Sequence, residues 1–139
     1  MTREKADAYA DILVAVFSLA AVNHGHESTP VAKFHRLLVT LRKEFPNDMP
    51  SFDEVGRPPF QSSELLSDAL HRALCADPPK IVTDARANLI VDPAMAMRNL
   101  NGFDAVTRAR FLKFFPEIAE RFVALQRAED DGPTPLKGA

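Results

Sequence analysis

The 139 residues make one domain's worth of chain, 46% hydrophobic and 26% charged, enough to bury a core without disulfides or a structural metal. The net charge of −2 resides in the last segment: residues 129–139 hold three acids and one lysine, while the rest balances 16 bases against 16 acids. A neutral body exerts no overall pull on nucleic acid, so any polyanion site has to be a local patch.

A first helix is predicted over 3–22, where Tyr9, Ile12, Leu13, Val16, Phe17 and Ala20 recur at helical spacing. Its second half is apolar nearly all round, the mark of a helix covered on several sides. The run ILVAVFSLAAV within it has 11 residues, against the roughly 20 that a bilayer span needs. The leading MTREKADAYAD carries both charge signs and no secretory pattern, so a cytoplasmic protein without a membrane partner is expected. Asn23 and Gly25 tolerate the left-handed conformation that closes a helix.

For the second helix, Thr29 is the expected N-cap and Pro30 the first helical residue, where its missing N–H costs nothing. Val31, Phe34, Leu38, Leu41 and Phe45 follow at alternating spacings of three and four, Leu37 widens the stripe, and Pro46 stops it. On another face Lys33, Arg36, Thr40 and Lys43 form a basic stripe. Residues 46–60 (PNDMPSFDEVGRPPF) contain four prolines and a glycine and read as a long connection. A third helix begins near Ser62 or Ser63 with Glu64 in its first turn; Leu65, Leu66, Ala69, Leu70, Ala73 and Leu74 supply its buried face. Asp77-Pro78-Pro79 ends it. Cys75, the only cysteine, lies in this amphipathic stretch and reads as a small core residue.

Next, Ile81-Val82-Thr83 and Leu89-Ile90-Val91 flank a polar segment, Asp84 to Asn88, whose ends are turn formers. This reads as a β-hairpin; a short helix over 84–91 is the competing reading, because Ala85, Arg86, Ala87 and Leu89 are helix formers. Asp92-Pro93 opens a short helix through Leu100, closed by Asn101-Gly102, and Asp104 caps a last element running to residue 128. Phe111, Phe114, Phe115, Ile118, Phe122 and Leu125 give it a wide apolar face, and Pro116 is expected to kink or split it. From 129 onward EDDGPTPLKGA is too polar and too rich in Pro and Gly to fold alone. The expected organisation is one domain over 1–128 and a disordered tail over 129–139.

Three of the four histidines fall in HGHESTPVAKFH at 24–35, beside Glu27. Zinc needs three or four converging ligands. His24, His26, Glu27 and His35 match no ligand spacing, so the stretch reads as a polar turn rather than a metal site. There is no glycine-rich phosphate loop, no Gly-x-Ser-x-Gly elbow and no CxxC pair. Asp53-Glu54 and Asp130-Asp131 are successive carboxylates whose side chains diverge, which does not suit paired acid–base work. An enzyme, a cofactor and a small-molecule substrate are therefore not expected.

Helices followed by a helix of about 14 residues and a two-stranded wing are the order of a winged-helix domain. The stretch PPFQSSELLSDALHRALCADPPKIVTDARANLIVDP fits that order, so the fold class expected is mainly α, a compact helical domain with a small β-hairpin, winged-helix-like. The apolar first helix, the polar turn and the basic helix TPVAKFHRLLVTLRKEF resemble the opening of the SocA-like, or Panacea-domain, antitoxin family. RPPFQSSELLSDAL is similar to that family's Gly-Pro-hydrophobic turn, with Pro58 where the family has glycine. The resemblance covers roughly 10–92 and implies a small winged-helix-like protein that acts as antitoxin or adaptor by holding a partner.

Two functions follow as expectations. The first is a non-enzymatic interaction protein (antitoxin, adaptor or regulatory subunit) whose partner is a toxin or a second copy of itself, held by Phe111, Phe114, Phe115 and Phe122. The alternative is a winged-helix DNA-binding regulator using Lys33, Arg36, Lys43, Arg72, Arg86, Arg108, Arg110 and Lys113, with Arg86 at the wing tip. The exposed positions of the third helix, Ser67, Asp68, His71 and Arg72, are thin equipment for reading bases.

Overall fold

The computed structural model describes residues 3–49 and 64–131. Along them run α1 (Arg3–His24), β1 (Ser28–Pro30), α2 (Val31–Glu44), α3 (Glu64–Leu74), β2 (Val82–Thr83), β3 (Asn88–Ile90), α4 (Pro93–Gly102), α5 (Ala105–Phe114) and α6 (Pro116–Asp131). The protein is mainly helical with a small antiparallel sheet, as expected, and the order is compatible with a winged helix.

The apolar circumference of α1 has a direct cause. Every residue from 13 to 21 is buried, because α3, α4 and α6 all pack on this helix. Gly25 closes it at φ 68°, where a side chain is disfavoured, and the His26 N–H turns back to the Ala20 carbonyl at 3.1 Å. The helix thus runs two residues past its expected end, with Asn23 inside it.

Thr29 is not the cap of α2. Residues 28–30 form a strand instead, pairing Ser28 with Ile90, Thr29 with Leu89 and Pro30 with Asn88. On the other side of β3, Val82 meets Ile90 and Thr83 meets Leu89, giving the order β1-β3-β2. Pro30 occupies the cap position with extended backbone and no side-chain bond. Two further bonds fasten the sheet: Val31 N–H to the Ala87 carbonyl and Val91 N–H to the Glu27 carbonyl, both 3.0 Å.

The hairpin is present and the competing helix over 84–91 is not. Asp84 builds its turn: Oδ1 accepts from the N–H groups of Arg86 (2.8 Å) and Asn88 (3.0 Å), and Oδ2 from the Asn88 side-chain amide (3.1 Å). Those donors hold the Asp84 carboxyl below the usual aspartate range. Ala87 completes the turn at φ 61°, the left-handed region. Ile81, Leu89 and Val91 face the core.

Ala69 and Ala73 bury the inner face of α3, with Leu70 and Leu74 packed at its margin. The expected start at Ser62 or Ser63 and the side chains of Leu65 and Leu66 lie outside the described residues, as do Asp53-Glu54, Pro58 and the rest of 50–63. Before that stretch, Arg42 Nη1 donates to the carbonyls of Pro46 and Met49, each at 2.7 Å, and pins a turn over buried Met49.

Asp92 and Asp104 cap α4 and α5 through bonds from Met95 N–H (2.8 Å) and Thr107 N–H (2.7 Å). The Phe115-Pro116 step splits the last element into α5 and α6, as the proline predicts. α6 continues to Asp131, so the first three residues assigned to the tail are helical; 132–139 lie outside the described residues. No helix among the described residues is long and apolar enough to cross a membrane.

Candidate functional site

The four phenylalanines expected to face a partner part company. Phe122 is fully buried, 5.2 Å from the Phe17 ring, which in turn lies 5.3 Å from Phe34. Phe111 and Phe115 are also buried, their rings 4.9 Å apart, and Phe111 meets Phe103 at the same distance. These three are core, and no partner reaches them without opening the domain. Only Phe114 is exposed, at 48%. The separation follows from Pro116, which ends α5 and starts a new helix, so that Phe114 and Phe122 belong to different stripes.

Phe114 has company that the sequence reading passed over. Val106 is 81% exposed and Leu112 47%, and Phe111 is the one buried residue of α5. The signal was available: at 3.6 residues per turn, Val106 and Leu112 cannot share the face of Phe111. The same helix carries Arg108, Arg110 and Lys113 and no acid. Among the described residues none of these three bases pairs with a carboxylate, and Lys113 Nζ lies 5.3 Å from the centre of the Phe114 ring. The inner edge of α5 borders a groove in which Arg110 and Phe111 stand opposite Asp11 and Asp48. Burial pushes the Asp11 carboxyl up, partly offset by Lys80.

The eight bases nominated for nucleic acid are spread over α2, α3, the hairpin and α5. Arg72 is occupied: Nη1 bonds Asp7 Oδ1 at 2.8 Å and Nε lies 3.6 Å from Asp68 Oδ2. Lys33 and Arg36 have interactions of their own, and Lys43 is exposed at the end of α2. Arg86 is exposed in the hairpin turn. The outward line of α3 is Ser67, His71 and Cys75. Cys75 is not core: just past the end of α3 and four residues past His71, it continues the outward line and is exposed, with Sγ 3.6–3.7 Å from the His71 ring nitrogens.

His26 is a packing residue. Its Nε2 lies 3.2 Å from the hydroxyl of buried Thr29, and its ring stands edge-on to Phe122 at 5.7 Å. The His24 carbonyl takes a long bond of 3.5 Å from Arg127, and the His35 side chain lies outside the described residues. Among the described residues no three His, Cys, Asp or Glu side chains converge as metal ligands would.

A second polar feature joins α2 to α6. Arg121 Nε and Nη2 donate to the two carboxylate oxygens of Glu44 at 2.7 and 3.0 Å. The hydrogen bond and charge of Arg121 hold Glu44 below the usual range, and the same bond raises the arginine. Here arginine and carboxylate are paired; among the described residues the bases of α5 form no such ion pair.

Comparison with protein-family models, with curated proteins and with solved structures finds no match for the chain. The functional reading therefore stands on these residues and surfaces.

Proposed function

We propose that the protein is a non-enzymatic interaction module of the antitoxin, adaptor or regulatory-subunit kind, which works by holding another protein. The observation that carries this is the outer face of α5, where Val106 and Phe114 stand exposed on one side of a short helix with Arg110 one turn from each, while Leu112 projects from the other side. Single exposed apolar residues are ordinary, but two bulky ones on one outward row of a helix, set among bases, offer a partner both apolar and charged contacts. The SocA-like resemblance over 10–92 supports the same class of function and leaves α5 outside it.

The test is purification of the tagged protein from its own cells beside a Val106→Asp/Phe114→Asp variant that keeps the same circular dichroism and melting temperature. A protein recovered in fixed ratio with the wild type and lost from the variant is expected. A solitary wild-type chain, or a partner indifferent to the two substitutions, overturns the proposal.

The DNA-binding alternative draws support from the sheet order β1-β3-β2 and the exposed Arg86 in its hairpin. Engagement of Arg72 by Asp7 weakens it at the helix that would enter the groove. Binding to duplex DNA at low salt that weakens in Arg86→Ala supports this alternative, and its absence removes it.

A further inference from the structure

We infer that the outer face of α5 receives an acidic amphipathic segment of a partner protein, with carboxylates meeting Arg110 and Lys113 and apolar side chains meeting Val106 and Phe114. This rests on the interaction reading above and adds the chemistry of what is held.

Charge decides the sign of the occupant. α5 carries three bases and no acid, and among the described residues none of the three is paired with a carboxylate. Two other arginines are paired with carboxylates, Arg72 with Asp7 and Arg121 with Glu44, while Arg42 and Arg98 donate to backbone carbonyls. The three bases of α5 share one helix with exposed apolar side chains. An acidic partner gains from both features, whereas a basic one would be repelled. Asp11 and Asp48 line the groove on the inner side of Arg110, so a partner's acids meet Arg110 and Lys113 from the outer side.

The order of residues around the helix separates a peptide from a lipid surface. A helix that lies in a membrane has one continuous apolar arc with cations at its borders. On α5 the order around the axis is Leu112, Ala105, Ala109, Lys113, Val106, Arg110, Phe114, as about 3.6 residues per turn dictates. Lys113 and Arg110 stand on either side of Val106, with Phe114 beyond Arg110, so cations and bulky apolar groups alternate. Insertion would drag Lys113 and Arg110 into hydrocarbon, but a segment whose acids alternate with apolar side chains matches the pattern. The ten residues of α5 span about 15 Å, so the occupant needs roughly three helical turns.

The experiment is selection from a displayed library of random peptides of about 16 residues, roughly the span of α5 with flanks. The full-length protein is the target, and binders to Val106→Asp/Phe114→Asp are depleted. Recovered peptides are expected to carry net negative charge and at least two bulky apolar side chains. Their synthetic forms should bind about tenfold or more weakly to Arg110→Glu/Lys113→Glu, and progressively less as salt rises. Replacing their acids by lysine should abolish binding.

Recovery of neutral or basic peptides, or of none that depend on α5, overturns the inference. So does preferential binding to phosphatidylglycerol vesicles over phosphatidylcholine vesicles, or a dimer in sedimentation that Phe114→Asp dissolves, since each names a different occupant. If no acidic peptide emerges while the native complex still requires Val106 and Phe114, the stated chemistry falls and the interaction module stands. If the native complex ignores α5, both fall.

Discussion

Asn99 and Ser18, 81 positions apart, share a buried hydrogen bond: the Asn99 side-chain amide donates to the serine hydroxyl at 3.2 Å. The same amide donates to the Lys80 carbonyl at 2.8 Å, and neighbouring Arg98 donates to the Pro79 carbonyl at 2.7 Å. One side chain thus ties α1, α4 and the segment entering the hairpin. Asn99→Leu leaves the buried hydroxyl and carbonyl without their donor and is expected to cost about 1–3 kcal/mol in urea denaturation. A midpoint unchanged from wild type contradicts the role.

The phenylalanines provide a sharp contrast between stability and binding. Phe122→Ala opens a void beside Phe17 and His26 and is expected to cost about 3–5 kcal/mol. Phe114→Ala, at the surface, should stay within about 0.5 kcal/mol of wild type while weakening partner capture. Thermal melting separates the two, and comparable losses would show that Phe114 belongs to the core.

Ala87 holds a left-handed backbone that glycine adopts without a Cβ penalty. Ala87→Gly is therefore expected to stabilise the protein by up to about 1 kcal/mol, net of the extra chain entropy glycine brings to the unfolded state. A loss of stability measured by melting argues against this turn geometry.

Glu44 titrates below its ordinary 4.5 because Arg121 bonds its charged form. A depressed folded value contributes stability above 4.5, and that contribution is lost as the pH falls through the lowered value. Glu44→Gln should flatten the acid side of a stability–pH curve, more at low salt than at high, since the pair is exposed. Asp84 and Asp104, also lowered by backbone donors, keep the remaining slope in the variant. Superimposable curves for wild type and variant at low salt would remove Glu44 from the acid response.

The helices, the hairpin and the break at Pro116 were legible because their signals are local: apolar spacing, capping aspartates, a proline. β1 was not, since Ser28-Thr29-Pro30 has no alternation and the same three residues read as a helix cap; only pairing with β3, some 60 positions away, makes them a strand. Arg72 read as an available base because Asp7 lies 65 positions off. Cys75 reads as core by residue type, but its four-residue spacing from exposed His71 and Ser67 puts it on the outward face. For the site, the bases of α5 were legible and its apolar outer face was not. A long Phe-rich stripe hides the fact that a proline re-phases it.

The sheet has an unusual consequence for how this molecule keeps company. Its outer rows are β1 and β2, three and two residues long, and β1 ends in Pro30, which has no N–H to offer. A neighbouring chain seeking to prolong the sheet finds almost no ladder to climb. Stacking of one molecule's edge on the next is discouraged from the outset.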